Sequence, residues 1–146
     1  MRIDSSRFGQ LDIVEDDILR FPQGIIGMED LCEWVLFADA ENTALGWLQN
    51  VHHNDVALAV VSPRRFLPEY KARVARKQLS AICLGNPQDA QLLVIACRNE
   101  QSITLNLKAP LVINLPGRLG CQAVTRGDDE LQHRLPMAIL PLRKSA

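Results

Sequence analysis

The chain has 146 residues, 47% of them hydrophobic and 23% charged, with 16 basic side chains against 17 acidic ones. That length suits one domain, spanning 1–146, that buries roughly 68–70% of its unfolded surface and needs no disulfide or metal staple. A formal charge of -1 excludes polyanion binding by bulk charge, and the apolar content excludes a disordered chain.

In chain order the pattern is one of short strands. Residues 3–8 and 11–14, around Gly9-Gln10, predict an opening hairpin. Residues 18–21 predict a third strand, which Pro22 stops because it has no N–H to give a ladder. Gly24 and Gly27 punctuate a loop over 23–27 and suit positive φ. Residues 29–34 are read as one or two helical turns before an extended run at 35–37.

Two more strands, 47–51 and 56–61, flank the turn His52-His53-Asn54-Asp55. Residues 92–97 form a continuous aliphatic run, as expected of a strand covered on both faces. Ile103, Leu105 and Leu107 alternate with polar neighbours, the period of a half-buried strand. Residues 111–114 and 121–125 follow, separated by Pro116-Gly117. Helix is scarce: 75–84 is the best candidate, capped by Gly85, with a second short one at 128–134. The pattern is therefore mainly β, with one or two short helices, and many short strands at close spacing suggest a barrel or a sandwich rather than βαβ units.

No apolar run approaches the roughly 20 residues of a membrane helix. The N-terminus carries Asp4 at once and has no apolar h-region. Cys32, Cys83, Cys97 and Cys121 form no C-x-x-C pair and are read as buried reduced thiols, so the expected compartment is the cytoplasm.

Motifs that carry chemistry are few. There is no P-loop and no H-E-x-x-H motif. His52, His53 and Asp55 hold ligand-type side chains; on a strand the two histidines would point to opposite faces, in a turn they could share an ion, and the reading is a solvated loop tip with a metal site as the alternative. Nothing places His133, Ser62 or Cys97 in a nucleophile elbow. The expectation is no catalytic residue, no metal and no cofactor. Glu15-Asp16-Asp17 is an acidic turn, solvated or facing a partner. Arg64, Arg65, Lys71, Arg73, Arg76 and Lys77, interleaved with Phe66 and Tyr70, are the one charge anomaly. They read as a solvated face, with a nucleic-acid-binding strip over 64–77 as the alternative.

Three ordered blocks carry a resemblance. Phe21-Pro22-Gln23-Gly24-Ile25-Ile26-Gly27-Met28-Glu29 resembles the opening signature of the flagellar assembly factor FliW family. Gly46-Trp47-Leu48-Gln49, Asp55, Leu58-Ala59, Pro63, Pro68 and Tyr70 are similar to its second block. Thr104-Leu105-Asn106-Leu107-Lys108-Ala109-Pro110 running on to Asn114, then Gln122 and Val124, resemble the third. The resemblance covers about 1–125, and 126–146 matches loosely. Ile26, Met28 and Glu69 depart conservatively from the family pattern. The basic residues of 71–77 stand where relatives tend to be acidic.

The resemblance implies a mainly β, single-domain antiparallel β-barrel-like fold with one or two short helices, in a non-enzymatic protein that binds flagellin and the RNA-binding regulator CsrA. When free of flagellin, it would antagonise CsrA and relieve repression of flagellin mRNA. Neither direct nucleic-acid binding nor membrane association is expected. Pro22, Gly24, Gly27, Trp47 and Pro110 read as structural. The candidate partner contacts are the polar members Gln23, Glu29, Gln49, Tyr70 and Asn106, although Asn106 can equally satisfy a buried backbone group.

Overall fold

The computed structural model describes residues 1–98 and 102–135. Among the described residues there are eleven strands: β1 Arg2–Ser5, β2 Gly9–Asp12, β3 Ile18–Arg20, β4 Glu33–Ala38, β5 Gly46–Asn50, β6 Ala57–Val61, β7 Ala90–Arg98, β8 Ile103–Leu105, β9 Leu111–Asn114, β10 Leu119–Gln122 and β11 His133–Leu135. Strands β3, β4, β5, β6, β7, β9 and β10 close into a seven-stranded barrel, because β7 also pairs with β9. Closure removes the open edges that a flat sheet would expose. Every junction of the ring is antiparallel except one: β10 runs parallel to β3 at Leu119↔Arg20.

Alternation along the strands separates two faces. Leu19, Trp34, Leu48, Val60, Leu93, Leu111 and Ile113 fill the barrel with Phe21 and Ile25. The outward residues are covered by three additions. The β1–β2 hairpin packs Ile3 and Ile13 on Ile18 and Val35. Tyr70, Leu107 and the β8–β11 pair cover Trp47, Val61 and Val94. The 3-10 helix Arg76–Ile82 lays Ile82 on Val112 and Cys121. The aliphatic strand β7 is thus covered on both faces along its middle, as its sequence requires.

β7 also explains the third sequence block. One of its edges carries β6; the other carries β9 at its start and β8 at its end. β8 and β9 therefore act as one strand interrupted at 106–110, where the chain bulges outward. Asn106 Oδ1 accepts from the Ala109 amide at 3.1 Å, which fixes the bulge as an Asx-type turn.

Several local expectations change. The first turn lies at 6–8, not at Gly9-Gln10, because the Ser5 hydroxyl accepts from the amides of Arg7 and Phe8 (3.2 and 3.0 Å). Residues 29–30 form a turn and 31–32 an irregular connection rather than helix, and β4 starts at Glu33. The helix expected at 75–84 is a 3-10 helix, ended by Cys83 at φ 52° rather than by Gly85. The second helix is absent: Leu107 N–H donates to the Glu130 carbonyl (2.9 Å), and 133–135 pairs with β8. The cysteines are free, but Cys83 and Cys97 are exposed and only Cys121 is buried.

Candidate functional site

The loop 21–30 is built from both ends. Phe21 is fully buried in the barrel, and its amide donates to the Cys32 carbonyl at 2.8 Å. Gly24 folds back on Phe21 through a 2.8 Å hydrogen bond, with φ 69°. A Cβ at Gly24 would overlap the Glu29 backbone, so only glycine fits there. Ile25 plugs the barrel beside Phe21 and bonds to Met28 (2.7 Å), which throws Ile26 and Gly27 outward.

The tip is then tied down. Both Glu29 carboxylate oxygens accept from the Gly27 amide (3.0 and 3.1 Å). Gln122 Oε1 accepts from the Ile26 amide at 2.8 Å, while its Nε2 donates to the Ala109 carbonyl at 3.0 Å. One side chain thus joins the first sequence block to the third. The result is a fixed tip carrying an apolar side chain 61% exposed, Ile26. Val124, 43% exposed, stands two residues beyond Gln122 on the adjoining chain. Ile26 is thus held in water through its amide and belongs to no core cluster.

The five sequence candidates fall in two groups. Gln23 and Glu29 are exposed on this loop, and Gln23 makes no hydrogen bond among the described residues. Gln49 is fully buried: Ser5 Oγ donates to its Oε1 at 2.7 Å, and its Nε2 reaches the carbonyls of Asn50, His53 and Asn54 (3.1, 3.3 and 3.3 Å). Tyr70 is buried and donates its hydroxyl to the Leu107 carbonyl at 2.7 Å. Asn106 is half-buried in the 106–110 bulge. Gln49 and Asn106 hold the backbone of their own blocks and Tyr70 ties the second block to the third, roles a polar residue reveals only once its distant partners are known. Gln122, which links the first block to the third, shows in the sequence only as a position at the right distance.

Burial, and secondarily the charge of Asp129, push the Tyr70 phenol up to about 12, and burial pushes the Cys121 thiol up to about 11. Both folded values exceed the unfolded ones, so both groups stabilise the fold fully below the unfolded values. That stability is lost as pH climbs from about 9 to about 12, where the unfolded chain gives up protons first. Thermal melts are expected to fall across that window. Tyr70→Phe is expected to flatten the upper part of the fall; an unchanged slope would mean that Tyr70 does not couple to folding.

Elsewhere, His52, His53 and Asp55 are exposed on the β5–β6 turn, and the His52 imidazole pairs with the Glu33 carboxylate. Glu15–Asp17 is an exposed 3-10 turn whose Glu15 pairs with Arg20. A cavity of about 360 Å³ opens at one barrel mouth between Leu36, Gly46, Val60 and Leu93, with Arg65 at its rim. A groove of about 490 Å³ runs past Tyr70 between Glu69 and the acidic turn Asp128-Asp129-Glu130. Among the described residues no three His, Cys, Asp or Glu side chains form a metal-binding group, and no helix is long and apolar enough to cross a membrane.

The family model for FliW protein matches residues 2–137. The chain belongs to the FliW family. It is 34% identical to the flagellar assembly factor FliW of Natranaerobius thermophilus over 132 residues, covering 88% of this chain and 87% of that protein. The flagellar assembly factor FliW of Bdellovibrio bacteriovorus is also 34% identical, over 139 residues, covering 94% of this chain and 79% of its own. A crystal structure of the flagellar assembly factor FliW superposes with a TM-score of 0.84 at 32% identity, covering 92% of this chain and 96% of that one. The closed barrel described above is therefore the FliW fold, and all three resembling blocks lie within the matched span. That span runs past Thr125 and takes in β11.

Proposed function

We propose that this FliW-family protein is a non-enzymatic regulator of flagellar assembly that works in the cytoplasm by binding two proteins in turn. It binds flagellin while flagellin is held inside the cell. When free, it binds CsrA and lifts its repression of flagellin mRNA. Family membership supports the reading, and the observation that carries it is the fixed tip of the signature loop. Buried residues and a Gln122 bridge hold Ile26 out in water, beside Gln23 and Glu29. Such construction has no use in packing and suits a contact surface.

The physics is linkage. If flagellin and CsrA each bind the same protein and exclude one another, the free concentration of one sets the occupancy of the other. The switch needs neither a catalytic group nor a cofactor, only two affinities that match cellular concentrations.

Titration calorimetry with purified flagellin and CsrA from the same host tests the reading. Binding is expected to each. Ile26→Asp is expected to weaken at least one of the two by about 2 kcal/mol, roughly 30-fold, with its melting temperature unchanged. Binding to neither protein would overturn the proposal.

A further inference from the structure

Five cations converge on one flank of the barrel. Lys71, Arg73, Arg76 and Lys77 come from the segment 71–75 and the 3-10 helix that follows it, and Arg126 joins them from the chain beyond β10. The Arg126 amide donates to the Arg73 carbonyl at 2.7 Å. The Gln78 side chain clasps the backbone of Val124 in both directions, at 3.0 and 2.8 Å. Two stretches remote in sequence are thereby held side by side with all five cations exposed.

None of the five has an ion-pair partner among the described residues. The remaining arginines of the basic stretch are engaged elsewhere: Arg64 donates to the Tyr70 carbonyl and Arg65 to that of Thr43 (3.2 and 3.3 Å). Glu69 and the acidic turn Asp128-Asp129-Glu130 lie close along the chain but pair with none of the five, so like charges stay gathered and repel one another. Beside them lies an apolar floor. Leu79 and Leu84 line a groove of about 730 Å³ together with Arg76 and Lys77, and exposed Val124 sits at the Gln78 clasp.

The two aromatic residues that could have stacked nucleic-acid bases are not available. Tyr70 is buried, and Phe66 is half-buried against the same core. A single-stranded nucleic acid would find phosphate partners here but no stacking platform, and would leave the leucine floor unused. A protein segment that carries both carboxylates and apolar side chains uses both features.

We propose that this flank is a docking surface for an acidic amphipathic segment of a protein partner. Its carboxylates meet Lys71, Arg73, Arg76, Lys77 and Arg126, and its apolar face covers Leu79, Leu84 and Val124. The surface is independent of the flagellin and CsrA reading, and it stands whether or not those two proteins bind.

The test uses the full chain and a fluorescently labelled peptide with glutamate and leucine at helical spacing. A scrambled peptide of the same composition and an oligouridylate of similar charge serve as comparisons. The amphipathic peptide is expected to bind roughly tenfold tighter than the scrambled one. Arg73→Glu with Arg126→Glu is expected to weaken that binding by roughly tenfold or more, with the melting temperature kept. Val124→Asp, at an exposed position, is expected to weaken it several-fold. Equal binding of the scrambled peptide would overturn the proposal in favour of unspecific charge attraction. Oligouridylate binding that exceeds peptide binding and is lost in the same double variant would overturn it in favour of a nucleic-acid face. Binding of none of the probes would make the flank merely solvated. Peptide binding by a protein that ignores flagellin and CsrA would leave this proposal standing and the flagellar reading fallen.

Discussion

Phe21→Ala is expected to lower the stability of the protein by about 3–5 kcal/mol, the usual cost of emptying a buried aromatic site. The residue is fully buried, and its ring fills the barrel between Leu19, Trp34 and Leu111. It also lies against Gly120 on β10, so close that a Cβ there would overlap the ring. Its removal leaves a void beside a residue with no side chain to relax into it, so little of the cost can be recovered. β10 is also the strand that meets β3 in the single parallel junction, at Leu119↔Arg20. The loss therefore falls on the seam where the barrel closes and on the loop that presents Ile26. Urea unfolding of the purified variant measures it; a loss below about 1 kcal/mol would show that Phe21 is not the plug of the barrel.

Gln49→Ala is expected to cost about 2–4 kcal/mol, more than its size suggests, because the deletion leaves buried groups unpaired. The Ser5 hydroxyl loses its acceptor and the carbonyls of Asn50, His53 and Asn54 lose a shared donor. Ser5 ends β1, so the same deletion loosens the opening hairpin from the barrel. Gln49→Glu is expected to be at least as damaging, since it turns the donor that faces those carbonyls into an acceptor. If either variant unfolds at the wild-type denaturant concentration, Gln49 is not the pin between hairpin and barrel.

The sequence made the strands legible because their signal is local. Alternation marks β8, an aliphatic run marks β7, and Pro22 ends β3 for want of an N–H. What it misplaced depended on partners far along the chain. Residues 128–134 look helical by themselves, yet the Glu130 carbonyl receives the Leu107 amide and 133–135 completes a ladder on β8. The first turn moved because one hydroxyl, Ser5, outbids the local preference for Gly9-Gln10.

The candidate site divides along the same line. Gln23 and Glu29 lie in a loop whose shape two glycines and a proline announce, and both are on the surface. Gln49, Tyr70 and Asn106 stand out in sequence because they are polar amid apolar neighbours, but the groups they satisfy are invisible there. The Tyr70 hydroxyl finds a carbonyl at Leu107, and Gln122 bridges Ile26 to Ala109. Arg126 joins the basic strip only through its bond to Arg73, which no spacing in the sequence could disclose.

The central claim is exclusive binding, and a competition titration tests it most directly. The protein is first saturated with its host's flagellin, and CsrA is then added by calorimetry. The apparent CsrA affinity is expected to fall in proportion to the flagellin present and to return when flagellin is omitted. An unchanged CsrA affinity in the presence of saturating flagellin would contradict it, because the two partners would then occupy the protein together and no switch would exist.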